Sequence, residues 1–296
     1  MKFKRLALIG CGLMGGSFAL ALRAQGGVDE VVGYSASQTT RDRAVALKVI
    51  DHACDSIAQA VAGADLVLLA VPVRATQACL DELRAALSPH ALLMDVGSTK
   101  SDVVAAARAT LGERLSCFVP AHPIAGKEVA GIEHAEATLY QQRKTILTPL
   151  PETQATLVQT ARQVWQAVGS SVHELSPEAH DATFAAVSHL PHLLAFAAIN
   201  ALLAQPTGEA FLQMAGPGFR DFSRIAASAP PVWRDILLMN RQQVLAQSRH
   251  FRAALEQLES AIQSQDAAAL EQLIAHASHA RTAWQLNGLS DASDAT

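Results

Sequence analysis

Residues 1–175 alternate short apolar runs with segments whose apolar positions recur at helical spacing. The clearest runs cover residues 5–10, 30–34, 65–72, 91–98 and 114–120. Strands that are apolar on both faces and separated by helices are typical of a parallel sheet covered on both sides. The pattern therefore predicts an α/β domain with a mostly parallel sheet. A further strand over 144–148 and a helix over about 152–168 complete it.

The pattern changes after Ser176 and Pro177, where strand-like runs stop. Residues 177–205 are apolar at helical spacing, a second long helical pattern starts at Pro231, and residues 265–285 predict a last helix. An all-helical half with so many apolar faces would bury more surface against a second copy, so we predict a homodimer through it. The predicted bounds are 1–176 for the α/β domain, 177–286 for the helical domain and 287–296 for a disordered polar tail.

Composition narrows the class of protein. A chain of 296 residues, half of them apolar and 17% charged, is long enough for two packed domains. A net charge of -4 gives no basic surface for nucleic acid. The first apolar run ends at Gly10, too early for a signal peptide, and no unbroken apolar run is long enough for a membrane span. Four widely spaced cysteines indicate neither a zinc site nor a disulfide framework, so we expect a cytoplasmic protein.

The stretch GCGLMGG places Gly10, Gly12 and Gly15 in a G-x-G-x-x-G pattern between a predicted strand and a predicted helix. Gly10 would permit the tight turn, Gly12 the approach of a pyrophosphate, and Gly15 close packing of helix on strand. The alternative is a tight strand–helix turn that binds no ligand. The strand and helix context favours a Rossmann-type dinucleotide site, with Leu13, Met14 and Val71 as further expected contacts.

The residue at the end of the second predicted strand helps to distinguish an NAD site from an NADP site. NAD sites usually carry an acid there, whereas this chain has Ser35. Ser35, Ser37 and Thr40 could donate hydrogen bonds to a 2′-phosphate, and Arg41 or Arg43 could supply charge. These residues could also be ordinary polar positions of a loop and helix start. Because the acid is missing, we expect NADP, with NAD possible.

Six segments together resemble the prephenate/arogenate dehydrogenase family in their order and spacing: GCGLMGGS, DVGSTK, AHPIAGKE, SPEAHD, VSHLPH and GPGFRDFSRIAAS. The resemblance covers residues 5 to about 240. It implies a nucleotide-binding domain followed by a helical dimerisation domain. It also implies oxidation of a ring alcohol by hydride transfer to NAD(P) with loss of the ring carboxylate, a step of tyrosine biosynthesis.

The resemblance assigns catalysis to His122 and Ser98. An imidazole titrates near pH ~6.5, so His122 is a plausible acceptor for the hydroxyl proton, although it could also be a surface-loop histidine. Ser98 would hydrogen-bond His122 or the substrate hydroxyl. Its alternative is to cap a helix over 99–108.

The resemblance also implies a substrate site. Arg224 corresponds to an arginine that clamps the ring carboxylate, for which a planar guanidinium is suited. His192 corresponds to a second substrate-site histidine, and Arg220 is a less certain candidate. Lys127 departs from relatives that carry a small hydroxyl residue there. Lys127 could reach the substrate side chain or point to solvent, which leaves prephenate and arogenate both open.

Three alternatives remain at this level. His189 and His192 could suggest a metal, but no third ligand is evident nearby, so we expect none. A 3-hydroxyacid dehydrogenase of similar build would be expected to carry a lysine in its first long helix, and residues 178–203 contain none. A dinucleotide-sensing module without catalysis would not require His122, Ser98 and Arg224 together.

Overall fold

The computed structural model describes residues 1–127 and 129–284. Contacts divide the chain into two compact units, Met1–Arg241 and the residues from Gln242 onward. The predicted disordered tail at 287–296 lies outside the described residues. The domain boundary at 176/177, which follows the change from strands to helices, stays a prediction.

A six-stranded parallel sheet forms the first part of the larger unit, which confirms the α/β prediction. Its strands are β1 (Phe3–Ile9), β2 (Val28–Tyr34), β3 (His52–Ala53), β4 (Leu66–Leu69), β5 (Leu92–Asp95) and β6 (Phe118–Val119). The spatial order is β3-β2-β1-β4-β5-β6, with every pair parallel. The strand order reverses between β1 and β4, and in such sheets ligands bind outside the carboxyl ends at that crevice.

Helices cover both faces of this sheet because its strands are apolar on both faces. They are α1 (Leu13–Ala24), α2 (Gln38–Ala46), α3 (Ile57–Val61), α4 (Thr76–Leu83), α5 (Ser101–Thr110) and α6 (Ala155–Ala167). On one face Phe18 of α1 meets Trp165 of α6, with ring centroids 5.0 Å apart. On the other face Leu80 of α4 packs in a cluster that includes Ile9. Both aromatic rings are fully buried, so α1 is held firmly behind the glycine turn.

A second, three-stranded sheet carries His122, and here the sequence prediction is partly wrong. The apolar run predicts one strand over 114–120, but Gly112–Cys117 is a 3-10 turn and β6 has two residues. The chain then enters β7 (Ala121–Pro123), which is antiparallel to β8 (Lys144–Leu147), itself parallel to β9 (Ser171–Glu174). Thus His122 lies in a strand of the second sheet, just beyond the carboxyl end of β6. Pro123 fits there because β7 is an edge strand.

The predicted helix after Ser176 is interrupted by a wider turn. Ser176 caps α7 (Pro177–Phe184) by accepting from the Ala179 N–H at 3.1 Å. A π turn over Ala185–His189 follows, and α8 (Leu190–Leu203) continues the helix. Single π turns occur often at functional sites, because they turn side chains out of helical register.

The stretch Pro177–Leu203 is the one segment of the described chain whose length and composition would allow a membrane span, with a mean hydropathy of 1.5 and 11% of its most apolar window buried. It also carries His180 and Asp181, whose hydrogen bonds reach β7 and the turn before α5. Those contacts tie the start of the stretch to the sheet domain. An exposed apolar face of this kind suits the helical surface expected to pair with a second copy.

The long pattern from Pro231 is two helices rather than one. α9 (Gly208–Gln213) and α10 (Pro217–Ser223) precede α11 (Pro230–Met239), which is followed by α12 (Arg241–Gln263) and α13 (Ala267–Ala283). The break falls at Asn240, which is buried. Its side-chain amide donates to the Asp181 carbonyl at 2.8 Å and lies 3.1 Å from His189 Nδ1. Tertiary hydrogen bonds therefore decide where α11 ends.

Candidate active site

The glycine turn lies at the crevice between β1 and β4. Gly10 has φ +100, and a Cβ there would lie 2.2 Å from the Ala70 carbonyl oxygen. A Cβ on Gly15 would lie 2.4 Å from the Gly10 carbonyl oxygen, so α1 sits directly on the turn. A Cβ on Gly12 would meet nothing within 4 Å. Gly12 is the N-cap of α1 and no side chain caps it, so the geometry fits an approaching pyrophosphate.

A cavity of about 800 Å³ opens in front of this turn. Five of the predicted cofactor residues line it: Gly10, Gly12, Ser35, Thr40 and Val71. Leu13, Met14 and Gly15 support it from behind; the Met14 carbonyl accepts the Tyr140 hydroxyl at 2.6 Å. Thr39 and Glu133 also line the cavity, and the sequence reasoning did not identify them.

The charged residues around Ser35 have different partners. The Arg41 guanidinium donates to the Ser35 carbonyl and to Gln38, so it braces the loop. Ser37 caps α2 by accepting from the Thr40 N–H at 3.2 Å. Arg43 lines the cavity and pairs with Glu133 at 3.5 Å. Arg43 is therefore the cation of this segment that faces the cavity.

The predicted base is the first member of a chain of three side chains. His122 Nδ1 lies 2.8 Å from His180 Nε2, and His180 Nδ1 lies 2.9 Å from Asp181 Oδ1. Phe184 packs edge-on against His122, with ring centroids 5.0 Å apart. His180 is fully buried and Asp181 nearly so. The chain fixes the plane of the His122 ring.

The donors and acceptors of this chain fix the tautomers of His180 and His122. Asp181 as a carboxylate accepts only, so His180 must carry its proton on Nδ1 and present a lone pair at Nε2. His122 must in turn donate from Nδ1. The lone pair of His122 is then on Nε2, the nitrogen that points away from His180, which is where a general base needs it.

The environment keeps these histidines neutral. Burial, followed by the charges of His180, Lys100 and His189, holds the pKa of His122 well below its ordinary value. Burial likewise lowers the pKa of His180, although its hydrogen bond to Asp181 opposes this. Burial alone would raise the pKa of Asp181, but hydrogen bonds from His180, Ser101 and Lys100 outweigh it and hold that pKa low. A neutral imidazole beside a carboxylate is a base ready to accept a proton.

Asp181 also anchors α7 to the sheet domain. Its two oxygens accept the backbone N–H groups of Lys100 at 2.8 Å and Ser101 at 2.9 Å, so it caps α5 from another helix. The alternative that Ser98 caps this helix is wrong, since α5 begins at Ser101 with Lys100 as its N-cap. The segment SPEAHD contributed to the family resemblance, but sequence reasoning gave His180 and Asp181 no role. Two adjacent polar residues within an apolar helix were the available signal.

A second group surrounds His192. Its ring stacks on Trp233, with centroids 3.4 Å apart and planes at 19°. His192 Nδ1 is 2.9 Å from the Ser188 carbonyl, which leaves Nε2 for other partners. The pKa of His192 is lowered by burial and then by the charge of Arg224, so that arginine lies close to it. The structure thus brings His192, Trp233 and Arg224 into one neighbourhood.

The remaining predicted residues are more scattered. Ser98 is half-buried in the turn between β5 and α5, while His122 Nδ1 pairs with His180. Arg220 is exposed and pairs with its neighbour Asp221 at 3.1 Å. Lys127 pairs with Glu136 at 2.8 Å within its own loop. Across residues 1–127 and 129–284, no group of three His, Cys, Asp or Glu side chains is arranged to hold a metal ion.

Comparison with known proteins supplies the family. Residues 18–174 match the family model described as "Prephenate dehydrogenase, nucleotide-binding domain", and residues 176–276 match "Prephenate dehydrogenase, dimerization domain". The chain belongs to the prephenate dehydrogenase family. Membership accounts for the dinucleotide cavity and for a helical domain with exposed apolar faces.

Relatives within the prephenate dehydrogenase family agree over nearly the whole chain. A cyclohexadienyl dehydrogenase of Zymomonas mobilis is 38% identical over 89% of this chain and 90% of its own length. The prephenate dehydrogenase of Aquifex aeolicus, solved with hydroxyphenyl propionate and NAD+, has a TM-score of 0.88 at 36% identity, covering 95% of this chain and 98% of that one. The Synechocystis arogenate dehydrogenase has a TM-score of 0.80 at 28% identity, covering 94% and 99%.

Proposed function

We propose that this protein is a dehydrogenase of tyrosine biosynthesis that oxidises prephenate, arogenate or both. The observation that carries the proposal is the His122–His180–Asp181 chain, because it presents a neutral imidazole nitrogen beyond the carboxyl edge of a dinucleotide-binding sheet. Relatives named for prephenate, arogenate and cyclohexadienyl substrates support the substrate class.

His122 Nε2 accepts the proton of the ring C4 hydroxyl as the hydride leaves the same carbon. A dinucleotide held at the glycine turn of Gly10, Gly12 and Gly15 would supply the acceptor for that hydride. The ring carboxylate then departs as carbon dioxide, its bonding electrons make the ring aromatic, and the proton held on His122 returns to the new phenol oxygen. His180 and Asp181 stabilise the transient imidazolium by keeping their hydrogen bonds aligned throughout.

Arg224 is proposed to bind the ring carboxylate, with His192 beside it. A guanidinium offers two parallel N–H donors to a carboxylate, and the His192 Nε2 edge is left for a polar substrate group. Ser98 is proposed to hydrogen-bond the reacting hydroxyl or His122. Lys127 is proposed to reach the substrate side chain, and Arg220 is proposed to contribute to the substrate site. Each would have to leave its present carboxylate partner.

The test is reduced-cofactor formation with prephenate and with arogenate, comparing wild type with His122→Asn and Arg224→Ala. We expect His122→Asn to lower kcat about 100-fold or more while cofactor affinity is kept, since general-base catalysis contributes at least that much. Arg224→Ala should chiefly raise KM. Full activity of His122→Asn would remove the mechanism, and no turnover of either substrate by wild type would remove the function.

The alternatives predict different outcomes in the same assay. A 3-hydroxyacid dehydrogenase of similar build would oxidise a 3-hydroxyacid and ignore both ring substrates. A dinucleotide-sensing module would bind cofactor without turning over any of them. The family match disfavours both.

For the cofactor, we propose a preference for NADP+ over NAD+. Ser35, Thr39 and Thr40 supply hydroxyl donors around one end of the cavity, and Arg43 supplies a cation there. No carboxylate follows β2 directly to repel a 2′-phosphate. Glu133, which pairs with Arg43 at the cavity, would weaken this preference by competing for the guanidinium.

Ratios of kcat/KM for the two cofactors test the preference. We expect Arg43→Ala to lower kcat/KM for NADP+ more than for NAD+, and Glu133→Gln to shift the ratio the other way. Arg23→Ala, whose guanidinium binds Asp51 instead, serves as the matched control. A wild-type enzyme that strongly favours NAD+ would refute the proposal.

We further propose a cytoplasmic homodimer paired through the helical domain. Val187, Met214 and Phe222 of this domain are at least half exposed in the single chain, which is costly for apolar side chains unless a second copy covers them. Light scattering should give twice the chain mass of 31.3 kDa. A mass equal to one chain would refute the dimer.

A further inference from the structure

Asp95 and Lys100 form a buried ion pair that lies between the backbone entering His122 and the Asp181 end of the histidine chain. Asp95 ends β5 and Lys100 precedes α5, and their side chains are 3% and 0% exposed. The Lys100 ammonium donates to Asp95 Oδ2. Charged side chains are almost never fully buried without a reason, because removing them from water is costly. The proposed proton transfer uses neither of them.

The pair holds the residue just before His122 by both of its backbone groups. Asp95 Oδ1 accepts the Ala121 N–H at 3.0 Å, and Lys100 Nζ donates to the Ala121 carbonyl at 2.8 Å. Asp95 Oδ2 also accepts the Gly97 N–H at 2.8 Å, which ties the turn to the same carboxylate. The backbone entering His122 is thus fixed on the side away from β8.

The same turn holds the other end of the histidine chain. The backbone N–H groups of Lys100 and Ser101 bind Asp181, which orients His180 and through it the His122 ring. One short segment therefore sets both the backbone position of His122 and the direction of its Nδ1 hydrogen bond. Any shift of this segment would move the base relative to a bound substrate.

We propose that Asp95 and Lys100 are positioning residues for His122, which they hold in place for proton acceptance without touching the substrate. The inference rests on the proposed function of His122 as the base. It assigns the Asp95 and Lys100 pair an effect on kcat, in addition to the folding stability that any buried contact provides.

Lys100 has a second effect, through its charge. Among the residues that the structure describes, the titratable groups that act on the His122 ring are His180 from α7, His189 from the π turn and Lys100 from the turn before α5. Asp181 and Asp95 are the carboxylate partners of His180 and Lys100. Burial comes first among the causes that lower the pKa of His122, and Lys100 adds to it. Removing the ammonium should raise that pKa and move the acid limb of kcat/KM to higher pH.

The experiment compares Lys100→Met, Asp95→Asn and the double variant in the ring-substrate assay. We expect kcat to fall about 100-fold, the size of effect that a displacement near 1 Å can cause, with unchanged cofactor affinity by fluorescence titration. The acid limb should move to higher pH in Lys100→Met. The double variant leaves no unpaired buried charge, so it carries the test if a single variant fails to fold.

The Arg23 and Asp51 pair, whose side chains are 36% and 34% exposed, provides a control with similar hydrogen bonds at a less buried position. Arg23 and Asp51 also form an ion pair, with the two charged groups 3.0 Å apart. The Asp51 carboxylate accepts the backbone N–H of Val31 at 2.8 Å, and none of these groups contacts the residues that hold His122. Arg23→Met with Asp51→Asn should lower the melting temperature and leave kcat and the pH profile unchanged. If the folded Asp95 and Lys100 double variant behaves like this control, the inference is wrong. If wild type turns over neither ring substrate, the proposed function fails instead.

Discussion

Replacing Asp181 with asparagine should disturb the orientation of the His122 ring while leaving the ring itself in place. Its effect on kcat therefore tests whether that orientation matters. The Asp181 carboxylate accepts three hydrogen bonds, from His180 Nδ1 and from the backbone N–H groups of Lys100 and Ser101. An amide has one acceptor oxygen, and its NH₂ group can only donate. Whichever way the introduced amide is turned, at least one N–H donor now faces another donor.

The two amide orientations have different costs. If the amide oxygen faces His180 and Lys100, one charge-assisted hydrogen bond from Ser101 is lost, worth about 1.5–3 kcal/mol of stability. If the NH₂ group faces His180, that ring must accept at Nδ1 and carry its proton on Nε2. His122 then accepts at Nδ1 and holds a proton on Nε2, so it has no lone pair for the substrate.

In both orientations the negative charge that stabilises protonated His122 is gone. We expect kcat to fall about 100-fold or more, which corresponds to about 2.7 kcal/mol of transition-state stabilisation. Cofactor affinity should stay at the wild-type value, because Asp181 is not among the residues that line the cavity. The assay is steady-state formation of reduced cofactor, with circular dichroism to verify folding.

Glu178→Gln is the control, since Glu178 is an exposed carboxylate on the same helix. It should change neither kcat nor stability appreciably. A folded Asp181→Asn protein with the kcat of wild type would show that the histidine chain does not orient the base.

Further predictions concern pH and the glycine turn. Because the pKa of His122 is depressed, kcat/KM should stay flat down to about pH 6.5 and fall only at lower pH, and a pH–rate profile with an acid limb above that value would contradict this. Burial first of all lowers the pKa of His189 to about 4, so the unfolded chain binds more protons between about pH 6.5 and 4. Stability should therefore fall as pH drops through that window, by up to about 3 kcal/mol from this group, and urea unfolding of His189→Gln should show a smaller loss. Gly10→Ala should lower the melting temperature because its Cβ meets the Ala70 carbonyl, whereas Gly12→Ala should fold normally and raise the cofactor Kd; equal behaviour of the two would refute the assignment of the cavity.

Apolar periodicity predicted the sheet domain well, because buried parallel strands need continuous apolar runs and this requirement is local. The glycine turn could be predicted equally well from the sequence, because only glycine tolerates the conformation of Gly10 and the close approach at Gly15. Periodicity failed where tertiary contacts compete with it. It could not foresee that the run before His122 would divide between a 3-10 turn and strands of two sheets, or that Asn240 would end a helix by binding Asp181 and His189.

The residues that carry chemistry divide in the same way. His122 could be proposed as the base from its own segment, because it stands beside a proline after an apolar run and its neighbours resemble a known family. The proposed roles of His180, Asp181, Asp95 and Lys100 depend on partners distant in sequence: 81 residues separate Lys100 from Asp181, and 26 separate Asp95 from Ala121. A sequence determines which groups can donate, accept or titrate. Only the folded chain decides which of them meet, because burial and distance fix the tautomers and pKa values on which the proposed role of His122 rests.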